Sequence, residues 1–495
     1  MLKKTYNMRN KTGYDLNFLL RIANLCICAI ALIIYQDNDG NPYIDAFTLF
    51  LLCIFATENL LMLMYEEKQK DPFILLLMIN ATAFYMLRIL TLIYDPWSIS
   101  SYISYSFTSS DLNYSLIFTM VSNVSIVLGL SIGGKKASYK KNIDSDEYPA
   151  RPFSIAIIFV ATTLIGFLNV LPGWIFGKIG TYIRNFFMDS ETILILTSLY
   201  LIINYKKISG RYRIIIPSLL GIFIILHMLS GARSALLRFA LLLVFILLTL
   251  KYKIIFSKKS ILIGATLVPL LLIANFVGGT YVRKMLTNPE RRLFSIAQVS
   301  FFKESFSFLE SEDPIRIYRP IFLRIGFLDH AASVMRNSEE YRKIMNFSYY
   351  FKSFVDNSIL LTPLYDVFDT PRAACSFRYI ARGKSIPLRK NVMGKNYHST
   401  MFTVYGEYYV LFNGYPALIF LFVFSYIFKK AYLSIRNKDI VLFHFYKVLV
   451  LLFFYRWLDS FGMDWMLLHL IPVFITIVLF KNFYMMKTPE KASKH

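Results

Sequence analysis

Twelve stretches of this chain are each apolar for about the length of a bilayer crossing, and nothing constrains its fold more. A helix crosses the ~30 Å hydrocarbon layer at 1.5 Å per residue, so a span needs about 20 mostly apolar residues. The qualifying segments are 16–35, 43–65, 73–94, 112–132, 153–172, 190–205, 214–230, 235–250, 260–277, 402–428, 440–458 and 465–481. With 56% apolar or aromatic residues and only 17% charged, the 495-residue chain has more apolar surface than one soluble core can use. The composition excludes a soluble enzyme, a disordered protein and a disulfide scaffold.

The loops orient the spans. The N-terminal segment, the loops 66–72, 133–152, 206–213, 251–259 and 429–439, and the C-terminal tail from Lys481 onward hold 27 Lys and Arg. The short loops on the other side, 36–42, 95–111, 173–189, 231–234 and 459–464, hold 3. Basic residues gather at the cytoplasmic ends of membrane helices, so both termini are expected in the cytoplasm. A miscounted span would invert the alternation beyond the error. The net charge of +23 is accounted for in the same way, without nucleic acid as a partner.

Residues 278–401 are too polar to span, and their length exempts them from the charge rule. With 19 basic and 11 acidic residues, they are expected to form an external, mostly helical subdomain of short helices on the membrane surface. The chain thus divides into spans one to nine at 1–277, the external segment at 278–401, and spans ten to twelve with the tail at 402–495. Cys26, Cys28 and Cys53 lie in apolar runs and read as small hydrophobes; Cys375 stands alone in the polar segment.

Several residue sets can carry chemistry. Ser230-Gly231-Ala232-Arg233-Ser234 is a tight external turn in which small neighbours leave a guanidinium open to an anionic group. Arg238 lies about 7 Å into the next span at 1.5 Å per residue. It either snorkels to the headgroups or serves the same anion. His398, in Asn396-Tyr397-His398-Ser399-Thr400, sits at the external mouth of a span and is placed to act as a general base; an interfacial polar residue is the plainer reading. His330, beside Asp329, is the second choice of base. Arg316, Arg319, Arg324, Arg372, Arg378, Arg382 and Arg389 populate the external segment. Arg378 and Arg382 share one face of any helix there, and one or two of the seven are expected to reach a phosphate-bearing site. Within spans, Glu58 is expected near the cytoplasmic end and Arg88 near the external end, too far apart to pair.

The architecture and two motifs resemble the bacterial O-antigen polymerase (Wzy) family, which builds polysaccharide from lipid-linked oligosaccharide repeat units. The turn Ser230–Ser234 is similar to the family's small-small-Arg-small turn. His398 before a span with Glu407, Gly414 and Pro416 is similar to the His-start helix of the related ligases and polymerases, with Ser399 where that group usually has Asn. The resemblance implies a GT-C-like all-α membrane fold in the bacterial cytoplasmic (inner) membrane. It implies a glycosyltransferase that moves a growing glycan from undecaprenyl diphosphate to a hydroxyl of a newly flipped repeat unit. His398 and Arg233 would be catalytic, and Arg233, Arg238, Arg324, Arg378 and Arg382 would bind the diphosphate. No cofactor and no metal are implied. The partners would be membrane lipid, the lipid-linked oligosaccharide, a chain-length regulator and a flippase. An O-antigen ligase, a GT-C glycosyltransferase and a lipid-linked oligosaccharide flippase are the alternatives. Asp37-Asn38-Asp39 would matter for a GT-C enzyme, although Asp-Asn-Asp-Gly-Asn-Pro reads first as a turn.

Overall fold

A computed structural model describes residues 14–35, 41–99, 107–134, 195, 198–203, 210–229, 235–250, 255–256, 327–357, 367–370, 403–436 and 440–459. They are mostly helical, and six helices are long and apolar enough to cross a membrane: Leu16–Tyr35, Ala46–Gln69, Pro72–Tyr94, Ser109–Gly134, Ala417–Ser434 and Val441–Leu458. The protein is membrane-embedded. Two further apolar helices, Gly210–Leu229 and Ala235–Thr249, coincide with the spans expected at 214–230 and 235–250.

We label the helices α1 (Leu16–Tyr35), α2 (Ala46–Gln69), α3 (Pro72–Asn80), α4 (Leu87–Tyr94), α5 (Ser109–Gly134), α6 (Gly210–Leu229), α7 (Ala235–Thr249), α8 (Phe327–Arg336), α9 (Ser338–Arg342), α10 (Phe347–Asn357), α11 (Val404–Leu411), α12 (Ala417–Ser434) and α13 (Ile440–Asp459). A two-residue antiparallel pairing of Tyr14–Asp15 with Ile255–Phe256 is the only sheet among the described residues.

The helix ends follow from local chemistry. Lys70 closes α2 in the left-handed conformation, and Asp71 then caps α3 by accepting from the Phe73 N–H, with Pro72 in the first helical position. Asp45 and Thr48 form a reciprocal capping box at the start of α2. Between α3 and α4 the ladder widens into a π-helical turn, Ala81–Met86, closed by the Leu87 N–H donating to Thr82 O. The widened turn changes the angular spacing of the residues on either side of it, and such turns recur at functional positions.

Polar contacts between helices fix their relative directions. At one end of the bundle Asn17 donates to Leu63 O and to Glu66, Arg21 pairs with Glu67, Tyr65 donates to Ser131, and Lys429 pairs with Asp71. At the other end Asn41 donates to Leu92 O, and Asn113 meets both Asp45 and Thr48. So α1 and α2 run antiparallel, while α2, α5 and α12 run the same way. We call the end with Asp71 and Lys429 the basic end and the opposite one the far end.

The closest packing is between α5 and α12. Small residues Ser125, Gly129 and Gly133 recur every four positions, which lets the backbones approach. A Cβ on Gly129 would lie 2.1 Å from Ser425 Oγ and 2.3 Å from Phe422 O. Ser125 Oγ donates to Leu418 O at 2.6 Å.

The stretch 402–428, expected as a single span, is divided. α11 ends in a Schellman motif: Asn413 and Gly414 both have positive φ, Gly414 N–H donates to Tyr409 O, and Asn413 N–H donates to Val410 O. Pro416 then leads into α12. α11 also runs against α12. Tyr405 touches Tyr85 and Asn123, whereas Tyr409 touches Tyr114 and Phe118, nearer the first turn of α5. α11 is thus a half-helix rising from mid-bundle to the far end, where the chain turns back into α12.

The second difference is α8. Surface helices are the expectation for its neighbourhood, yet Phe327 to Met335 are all buried. Phe327 stacks on Phe84 and meets Tyr85 edge-on, near the middle of the Pro72–Tyr94 helix. Arg336 pairs with Asp111 in the first turn of α5. The described part of α8 therefore lies inside the bundle, with Phe327 at mid-depth and Arg336 toward the far end. Its Ala331, Ala332 and Ser333 make this possible, because small side chains let it lie close to its neighbours.

Candidate functional site in the bundle interior

Polar residues gather where α8 and α11 enter the bundle. Arg88 is fully buried two residues beyond the π turn. Its Nε and Nη2 donate to the two carboxylate oxygens of Asp329 at 3.0 and 2.8 Å. Nη1 donates to Thr91 Oγ1 and Ser98 Oγ, and Nη2 also donates to Ser98 O. All five guanidinium donors are filled, as a buried charge requires. The bidentate pair ties α8 to α4 across 241 positions of sequence. Arg88 does lie toward the far end and does not pair with Glu58, as expected.

His330, one position on, is buried in the same helix. Glu407 on α11 is 2% exposed, and its Oε1 accepts from Tyr350 of α10 at 2.7 Å. Trp457 Nε1 donates to Tyr408 at 2.9 Å, while Trp457 also stacks on Phe424, close to the middle of α12. Beyond Arg336, burial pushes the Tyr341 phenol well above its usual range. Asp329, His330, Glu407 and the tyrosines can donate, accept or hold protons in a water-poor setting, where electrostatic interactions are stronger than in bulk.

Below them, Tyr405 donates to Asn123 Oδ1. Tyr85 meets Tyr405 edge-on at 5.4 Å between ring centroids. Glu58 is at the middle of α2 rather than near its cytoplasmic end, because the helix runs on to Gln69.

Arg233, Arg324, Arg378, Arg382 and His398 lie outside the described residues, as do Asp37 and Asp39. Arg238 is in the first turn of α7, with its side chain outside what is described. His330 alone of the proposed bases is placed. Among the described residues no group of three His, Cys, Asp or Glu side chains is positioned to hold a metal ion. Cys28 and Cys53 meet at 3.5 Å between sulfurs, and Cys26 faces outward.

The Arg88–Asp329 and Tyr350–Glu407 pairs were not read from the sequence. The signals were an Arg inside a span, which needs a partner in apolar surroundings, and an acidic residue in the apolar stretch Phe327-Leu328-Asp329-His330-Ala331. Comparison with protein-family models, curated proteins and solved structures gives no match to this chain.

Proposed function

We propose that this protein is a polysaccharide polymerase acting at the external face of the bacterial cytoplasmic membrane. In this reading the chain has twelve spans in a GT-C-like arrangement, with both termini cytoplasmic. It transfers a growing glycan from undecaprenyl diphosphate to a hydroxyl of a flipped repeat unit. The observation that carries the reading is that α8, from the long polar segment, lies among the membrane helices and is tied there through Arg88 and Asp329. An enzyme drawing on both a membrane-held lipid and an external sugar needs groups from both regions at one place.

The diphosphate is already a good leaving group. Arg233 would face it with a bidentate fork, supported by Arg238, Arg324, Arg378 and Arg382, and stabilise the charge that develops on departure. His398 would take the proton of the acceptor hydroxyl. Because arginines supply the positive charge, activity should survive chelation of divalent metals. A flippase and a chain-length regulator would be its partners in the membrane.

The test is an assay of purified protein with lipid-linked repeat units. A ladder of product lengths supports the polymerase; a single transfer to lipid A core supports an O-antigen ligase. Arg233→Lys keeps charge but loses the fork, so it should fail at a diphosphate site. His398→Ala should reduce turnover by about 10²–10⁴-fold, the usual contribution of a general base. A second reading, a lipid-linked oligosaccharide flippase, is favoured by the half-helix α11 and the acid at the middle of α2, since transporters place broken helices and ionisable groups at mid-membrane. Movement of labelled lipid across proteoliposomes without any product ladder would select it.

A further inference from the structure

We propose that Cys28 and Cys53 form a redox modification site, at which a lipid-soluble quinone oxidises the two thiols to a reversible disulfide that staples α1 to α2. The inference is independent of the polymerase reading.

The seam between the two helices places the thiols. Along α1, Asn17, Arg21, Asn24 and Cys28 follow one another at steps of three and four residues, which is one face of a helix. Their partners on α2 run in the opposite direction. Asn17 donates to Leu63 O and Glu66, Arg21 donates to Leu63 O and Glu67, Asn24 accepts from Asn59, and Cys28 meets Cys53. The cysteine pair is therefore the next step of an antiparallel register that five side-chain hydrogen bonds already fix. Its sulfurs are 3.5 Å apart. A disulfide bond is about 2.05 Å long, so closure takes an approach of about 1.5 Å, the scale of side-chain rotation rather than of helix movement.

Depth selects the oxidant. Cys28 comes seven residues before the end of α1 at Tyr35, and Cys53 seven residues after the start of α2 at Ala46. At 1.5 Å per residue both lie about 10 Å below the far end, inside the hydrocarbon layer. Both thiols are partly exposed there. Leu25 and Leu32 on the same side of α1, and Phe50 on the same side of α2, are exposed apolar side chains. The pair thus sits at the lipid-facing edge of the seam. An apolar oxidant dissolved in the bilayer reaches it, whereas a charged, water-borne thiol such as glutathione does not.

In the reaction two S–H bonds break and one S–S bond forms. The two hydrogens, with their two electrons, pass to the quinone, which leaves as the hydroquinone. Cys26 is exposed and two positions from Cys28, so it points away from the seam and provides an internal control. The disulfide joins positions 25 apart in sequence. It fixes the same seam that reaches the π turn, because Asn24 also donates to Thr82. Oxidation therefore holds α1, α2 and the π turn together as one unit, as a cross-link limits the freedom of the chain it closes.

The test treats wild-type protein in liposomes with duroquinone, whose fully substituted ring carries no hydrogen for a thiol to replace. Remaining thiols are blocked with a maleimide after denaturation, and peptides are mapped by mass spectrometry without reduction. The expected result is a peptide pair joined from Cys28 to Cys53, lighter by two hydrogens and separated again by dithiothreitol. Cys28→Ser and Cys53→Ser should each remove it. Oxidised wild type should also unfold at a higher temperature than reduced protein, a shift that neither serine variant shows. Free Cys28 and Cys53 after quinone treatment overturn the proposal, and so does linkage of either to Cys26 or Cys375. An unfolding temperature unchanged by the link overturns the staple. Copper–phenanthroline gives a second reading on the wild type: a link formed by it but not by duroquinone rejects the quinone as oxidant, and with it the proposal. None of these readings measures glycan transfer, so failure here leaves the polymerase proposal standing, and the reverse.

Discussion

The Arg88–Asp329 pair is the sharpest place to perturb this fold. Asp329→Asn keeps the size and part of the hydrogen bonding but leaves a fully buried guanidinium without its counter-charge. Two of the five guanidinium hydrogen bonds then lose their charge assistance. Removing one partner of a buried pair costs roughly 3–5 kcal/mol. That is a large fraction of the stability of a typical domain. Replacing both partners with apolar residues of similar volume, Arg88→Met with Asp329→Leu, removes the buried charges together and should recover most of the loss. The assay is unfolding of the purified protein in detergent for the wild type, the two single variants and the double variant. The reasoning predicts strong non-additivity, with the double variant more stable than either single one. If Asp329→Asn cost less than about 1 kcal/mol, the level of an exposed ion pair, the pair would not be the buried clamp described. A double variant as unstable as the sum of the singles would refute the argument that uncompensated charge is the cause.

Gly129→Ala should destabilise the α5–α12 contact by about 1–3 kcal/mol, as overpacking does, because its Cβ would lie 2.3 Å from the Phe422 carbonyl oxygen; thermal unfolding would show it, and an unchanged midpoint would deny the close approach. Tyr350→Phe removes the donor to buried Glu407 and should cost about 1–3 kcal/mol, while a Phe at the neighbouring Tyr349 provides the comparison. Cysteine pairs placed at positions 85 and 405 should crosslink with a short bifunctional reagent, because those rings meet at 5.4 Å; failure would deny that α11 starts at mid-bundle. In cells, Arg233→Lys and His398→Ala should both abolish the glycan ladder at normal expression, and normal ladders from both would remove them from the site.

The long spans were legible in the sequence because hydrocarbon forces a local rule on each one. Every backbone group inside the bilayer must be satisfied within its own helix, so length and apolarity mark a span without knowledge of its neighbours. Leu16–Tyr35 and Pro72–Tyr94 were readable to within a residue for that reason. The divided stretch 402–428 was partly legible, since Asn413-Gly414-Tyr415-Pro416 is a turn signal, but an apolar run on both sides hid the break. Direction was not legible there: only the contacts of Tyr405 and Tyr409 show that α11 climbs back toward the far end. The burial of α8 was decided by tertiary structure alone. Its ten residues carry Asp329, His330 and Arg336, and a sequence window weighs those charges against the membrane. What reverses the balance is Arg88, placed beside the π turn 241 positions away, whose five donors need a carboxylate inside the bundle. Hydropathy adds the cost of each charge separately; the structure brings two costs together, and they largely cancel.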